Sequence, residues 1–189
     1  MTAPGATFSH PITANIYAVD NSTGTPRPGP LLATMTQTFN IAFRPSADPV
    51  NCTGANAGKW FNPDTGVCQN SIQQLLTFNF PAGITLPSQV IWTVAFNTTH
   101  YGNPPIGDGA ACFSSPVGCG YDSLNVAAFT YPGAPYTGTD VDPNGAFLNS
   151  SWAAAYCDGD AGGTGTLRLD TKPTDCWAGY TPMGEIRYA

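Results

Sequence analysis

A chain of 189 residues and 19.7 kDa is long enough for one real hydrophobic core, and a single β-sandwich domain over residues 1–189 is the expectation. Charged residues make up 10% while 42% are apolar and 12% aromatic, so the scarcity of charge does not signal disorder. A formal net charge of -6 leaves no basic footprint for a phosphate backbone, which excludes nucleic acid as the expected partner.

Taken in chain order, the sequence offers strands and turns and no amphipathic helix of useful length. Met1-Thr2-Ala3-Pro4-Gly5 lacks the basic start and apolar stretch of a signal peptide, so Met1 is expected to begin a trimmed chain. Period-two alternation predicts strands over Ile12–Val19 and Ala33–Phe43. Gln74–Phe80 reads the same way. Over Val90–Asn97 the pattern sets Val90, Trp92, Val94 and Phe96 on one face and Ile91, Thr93, Ala95 and Asn97 on a partly polar one. Leu124–Phe129, Thr166–Asp170 and Met183–Tyr188 complete the predicted set. Pro81, Pro87 and Pro132 fall just outside these runs, where a missing backbone donor costs least. Together these features predict an all-β fold, an antiparallel β-sandwich of jelly-roll type, with long loops over 45–70, 100–121, 131–151 and 156–163. No apolar run is long enough to span a bilayer.

Six cysteines, none in a CxxC arrangement and accompanied by only two histidines, do not match zinc-ribbon or redox spacing. In a chain this poor in charge they predict disulfides made outside the cytosol. Among the possible pairings we expect sequence neighbours to join: Cys52 with Cys68, Cys112 with Cys119, and Cys157 with Cys176. Each couple brackets turn-forming residues, as in Asn62-Pro63-Asp64-Thr65-Gly66, so the disulfides act as loop staples. Sequons at Asn21, Asn51, Asn97 and Asn149 matter only where the source glycosylates.

Several segments carry a resemblance. Asn15-Ile16-Tyr17, Leu31 to Phe39 and Arg44-Pro45-Ser46-Ala47 resemble stretches of uncharacterised bacterial secreted or surface-anchored proteins, as do Cys52-Thr53-Gly54 and Asn97-Thr98-Thr99-His100-Tyr101-Gly102. Tyr121 to Val126 and Leu148 to Trp152 extend it over most of the chain. The resemblance implies an exported bacterial surface module, of the kind that can carry a C-terminal sorting anchor, and implies no activity. The chain stops at Glu185-Ile186-Arg187-Tyr188-Ala189, where nothing resembles that anchor.

Asp140-Val141-Asp142-Pro143-Asn144-Gly145 places oxygen side chains at alternate positions before a glycine, as in the first half of a calcium loop, so Asp140, Asp142 and Asn144 are candidate Ca2+ ligands. The second half is missing, and Ser151 stands where a bidentate Glu would close the site. Asp142-Pro143-Asn144-Gly145 equally fits a plain turn, with proline second and glycine fourth.

Catalytic motifs are wanting: no Gly-x-Ser-x-Gly elbow occurs, and Glu185 is the one glutamate. The aromatics of the loops are the remaining signal. Trp60, Tyr101, Trp152 and Trp177, with His100 next to Tyr101, are candidate ligand-binding residues, since an exposed ring can stack on a pyranose. The competing reading is that such rings plug the ends of the sandwich. These features predict a non-catalytic secreted or cell-surface module that binds a glycan or other surface ligand. The alternatives are a subunit that assembles with itself into a filament or lattice through strand edges short of charge, and a hydrolase of an extracellular polymer.

Overall fold

The computed structural model describes residues 7–43, 45–96, 124, 126–130, 139, 146–148, 167–170 and 180–187. Among them are nine strands and one short 3-10 turn, Gly54–Asn56, so the chain is all-β with antiparallel pairing. The longest strands are β1 (Thr7–Asp20) and β2 (Arg27–Ala42), followed by β3 (Trp60–Asn62), β4 (Val67–Gln69) and β5 (Val90–Ala95). Short strands β6 (Ala128–Thr130), β7 (Ala146–Leu148), β8 (Arg168–Asp170) and β9 (Tyr180–Pro182) come after.

A three-stranded sheet is ordered β2-β1-β5. Its first two strands form a hairpin turned at Asn21–Gly24, where the Gly24 N–H donates to the Asn21 carbonyl at 3.1 Å and Gly24 takes φ 81°, a left-handed value that suits glycine. Side chains fix the register. Ser9 donates to Asn40 and Thr13 bonds Thr36, each at 2.8 Å, so four residues forward on β1 match four residues back on β2. In that register Ile12, Ala14 and Ile16 share a face with Ala33 and Ile41, all buried.

The chain divides into two compact units, interleaved along the sequence. In the first, the described residues are 7–14, 35–79, 94–96 and 124. Its core holds Ile12, Ala14, Ile41, Phe43, Cys52 and Trp60. Phe8 lies 4.8 Å from Phe43 between ring centroids, and Phe39 meets Phe78 edge-on at 4.9 Å. In the second, Ile16, Ala33 and Ile91 are buried, β6 pairs with β9 and β7 pairs with β8. There the indole of Trp92 lies flat against Gly184, where a Cβ would come within 2.7 Å of the Trp92 ring.

Several predicted elements differ from the structure, each for a local reason. Gln74–Phe80 keeps its alternation, with Leu76, Phe78 and Phe80 turned inward, but forms no ladder among the described residues. Its Gln74 side chain, not its backbone, bonds β2: the Gln74 Nε2 donates to the Asn40 carbonyl at 2.9 Å, and the Ala42 N–H donates to Gln74 Oε1 at 3.0 Å. Met183–Tyr188 is displaced upstream to Tyr180–Pro182; Met183 gives one more bond, N–H to the Ala127 carbonyl at 2.7 Å, before Gly184 turns its backbone to Trp92. Strands β3, β4 and β7 lie inside predicted loops and are only three residues long, too short for period two to declare itself. On β5 the most buried residue is Ile91, from the face predicted to be partly polar.

Candidate functional site

Two features built by the first unit bear on function: a stapled loop and an open sheet face. The loop begins at Asp48, whose carboxylate accepts the Val50 and Asn51 N–H groups, each at 2.9 Å, and the Asn51 side-chain amide at 2.8 Å. The Asn51 amide foremost, with these backbone donors, holds the Asp48 pKa below its ordinary value. The Asp48 backbone closes the loop twice more: its N–H donates to the Lys59 carbonyl and its carbonyl accepts from Cys52, each at 2.9 Å.

Cys52 and Cys68 form the expected disulfide, with Cα atoms 5.8 Å apart. The sulfur bond joins the Asp48 turn to a miniature hairpin in which Trp60 pairs with Gln69 and Phe61 with Cys68. The predicted turn Asn62–Gly66 is its tip: the Asn62 side chain accepts the Asp64 N–H at 2.9 Å, and Gly66, at φ 69°, donates to the Asn62 carbonyl at 2.8 Å. Trp60 is 7% exposed, and its indole N–H donates to the Ser71 carbonyl at 3.1 Å. That indole seals the loop from beneath and offers no open ring face to a ligand. Burial of this kind is what the plug reading of Trp60 expects.

The second feature is the face of the β1–β2 hairpin opposite the core. In the first unit it carries Ser9, Pro11 and Thr13 on β1 and Thr36, Thr38 and Asn40 on β2, at alternate positions on each strand. Thr36, Thr38 and Asn40 are exposed, as is Ser9, and no ionisable side chain interrupts them. The cross-strand bonds Ser9–Asn40 and Thr13–Thr36 hold these groups in fixed positions, so hydroxyl and amide atoms stand ready for a ligand with little rotamer freedom left to lose. Sequence reasoning passed over this face. Its signal was present in Met35-Thr36-Gln37-Thr38-Phe39-Asn40, where polar residues alternate with those turned to the core.

The other predicted site residues lie outside the described residues: His100, Tyr101, Trp152 and Trp177, the calcium candidates Asp140, Asp142 and Asn144, and Cys112, Cys119, Cys157 and Cys176. Among the described residues no group of three His, Cys, Asp or Glu side chains comes together to hold a metal. Nor is any described helix long and apolar enough to cross a membrane.

Comparisons with protein-family models, with curated proteins and with solved structures give no match to this chain. The functional reading therefore rests on the residues themselves.

Proposed function

We propose that the chain is a non-catalytic, extracytoplasmic module, a jelly-roll-like sandwich that binds a neutral glycan or other polyhydroxylated surface ligand. The observation that carries the reading is the uncharged, hydrogen-bonding face of Ser9, Thr13, Thr36, Thr38 and Asn40. Sugar hydroxyls both donate and accept, and side-chain hydroxyls and amides do the same at fixed positions. A face without charge suits a neutral ligand; a phosphate or an acidic peptide would call for Arg or Lys. The disulfide is compatible with an oxidising compartment, in keeping with the resemblance to bacterial surface proteins. Tyr101, Trp152 and Trp177, with His100, are the proposed loop partners that add stacking, while Trp60 is assigned to the loop's own core.

The test is calorimetry against neutral polysaccharides chosen from a glycan array. Replacing Thr36 and Asn40 together by alanine removes side-chain bonds worth about 1 kcal/mol each, so affinity should fall about thirtyfold. Trp60→Phe should leave affinity unchanged. Absence of binding across the array, or full affinity in the Thr36→Ala/Asn40→Ala protein, would defeat the proposal.

A further inference from the structure

The uncharged face of the first unit is ordered along its length. In an antiparallel strand the N–H and C=O of one residue point to the same side, and the side alternates from residue to residue. Gln74 bonds the Asn40 carbonyl and the Ala42 N–H, so the even-numbered residues of β2 turn their backbone away from β1. Pro28 and Pro30 share that parity, where a missing N–H leaves the β1 ladder undisturbed. Even residues of β2 therefore meet β1 in close pairs that exchange no backbone bonds, and the side-chain bonds Ser9–Asn40 and Thr13–Thr36 mark two of them. Pro11 and Thr38 form the pair between, both exposed, with Cα atoms about 4.5 Å apart.

The rows of this face are polar at both ends and apolar in the middle. At one end Ser9 gives its hydroxyl hydrogen to Asn40, which leaves the Asn40 amide hydrogens as donors and the Ser9 oxygen as an acceptor. At the other, Thr13 and Thr36 share one hydroxyl hydrogen, and the second remains as a donor beside the lone pairs. Between them the pyrrolidine ring of Pro11 stands opposite Thr38 as a small plate. Four residues at a rise of about 3.3 Å set the polar rows about 13 Å apart, on a face one strand spacing, about 4.8 Å, across. A single hexose reaches the plate and one polar row; only a run of linked rings reaches both rows.

We propose that this face takes the flat side of an unbranched neutral glycan, an internal run of pyranoses joined through equatorial bonds and laid along the strands. The inference rests on the glycan reading and narrows it from polyhydroxylated ligands at large to one chain geometry. Equatorial linkages keep successive rings in a ribbon, which suits an open sheet surface, whereas chains with axial linkages coil and touch one row at a time. The central ring lays its C–H face on Pro11, and the hydroxyl rims of its neighbours meet the polar pairs. Those hydroxyls donate and accept, as do the groups left at each end of the face. Covering the Pro11 ring removes apolar area from water, and proline has no side-chain rotamer freedom to lose in return. None of the side chains on the face is ionisable, so nothing here favours an acidic glycan over a neutral one.

Calorimetry of the full chain tests it with the cello-, manno- and xylo-oligosaccharide series, from two rings to six, and with maltohexaose as a coiled control. In at least one series affinity should rise at least about tenfold between the disaccharide and the tetrasaccharide, as the second polar pair is reached, and level off beyond. Thr13→Val keeps the shape of the side chain and removes its hydroxyl; it should weaken the tetrasaccharide about fivefold and the disaccharide less than half as much, since the shorter chain can use the other end. Pro11→Ser should weaken every length at least about threefold. Affinity independent of length, maltohexaose bound as well as the best of these hexasaccharides, or no binding in any series would overturn the proposal. The length series in the parent protein decides the matter even if Thr13→Val fails to fold. Any of those failures, combined with array binding that is lost in the Thr36→Ala/Asn40→Ala protein, leaves the glycan reading standing, whereas silence across the array removes both.

Discussion

Replacing both Cys52 and Cys68 by alanine measures what the staple contributes. The bond closes a segment with a sequence separation of 16, for which the chain-entropy relation gives about 10 cal/mol/K, or about 3 kcal/mol at 25 °C. Cys52 is 1% exposed, so losing its sulfur from a packed site adds about 1 kcal/mol. For a domain of this size each kcal/mol lowers the melting temperature by about 2–4 °C, which places the expected fall at about 8–16 °C. Differential scanning calorimetry reads it directly. The double substitution is the right perturbation because a reductant would act on every disulfide of the chain. The β3–β4 pairing, the Asp48 bonds and the Trp60 indole remain in the variant, so what disappears is the constraint on the unfolded chain. A melting temperature within about 2 °C of the parent would refute the account and leave those other contacts as the true closure.

Three further outcomes follow from geometry or sequence. Asp20 accepts the Ser22 N–H at 2.8 Å and the Arg27 Nε–H at 2.7 Å; the Ser22 backbone foremost, then its hydroxyl and Arg27, depress the Asp20 pKa from 3.8 to about 2. A carboxyl that is more acidic when folded contributes stability fully above pH 3.8 and loses it as pH falls toward about 2, so carbon-detected titration should find Asp20 still ionised at pH 3, and Asp20→Asn should abolish that part of the acid dependence. Gly184→Ala forces a methyl group into the Trp92 ring, with a Cβ within 2.7 Å of Cε2; the expected cost in chemical denaturation is about 1–3 kcal/mol, with altered indole fluorescence, and an unchanged midpoint would mean that Trp92 is not held there. For Asp140-Val141-Asp142-Pro143-Asn144-Gly145 the turn reading predicts the same melting temperature in millimolar calcium and in chelator, whereas a rise matching about 2.7 kcal/mol at a hundredfold excess over the dissociation constant would assign Asp140, Asp142 and Asn144 to a cation.

Long elements were legible in the sequence and short ones were not. β1 and β2 repeat their alternation often enough to declare a strand, and Val90–Ala95 matches the start of its predicted run. Three-residue strands such as Trp60–Asn62 and Ala146–Leu148 contain barely one period, so loop signals from neighbouring glycines and prolines overrode them. The Cys52–Cys68 pairing was legible because a short loop with turn residues inside it favours neighbours. Trp60 was ambiguous for a physical reason: an indole that closes a loop and one that stacks on a sugar need the same residue type, and its burial comes from tertiary packing that local pattern does not carry. The hydroxyl face was legible in part: the alternation over Met35 to Asn40 marks its polar positions, whereas their pairing with Ser9 and Thr13 joins residues more than twenty positions apart and lies beyond local pattern.

The placement of proline in the hairpin has a consequence for how the chain finds its fold. Shifting β2 against β1 by a single residue would turn Pro28 and Pro30 toward β1, where two donors would be missing, and would send Ala33 and Ile41 to the outer face. Wrong alignments are therefore penalised while the hairpin is still zipping outward from Gly24, before any core exists to judge them. The imino acids work as a proofreading device for strand alignment, and a substitution that restored their N–H groups would be silent in the finished structure yet audible in the refolding kinetics, as a slow phase from chains that must unzip and try again.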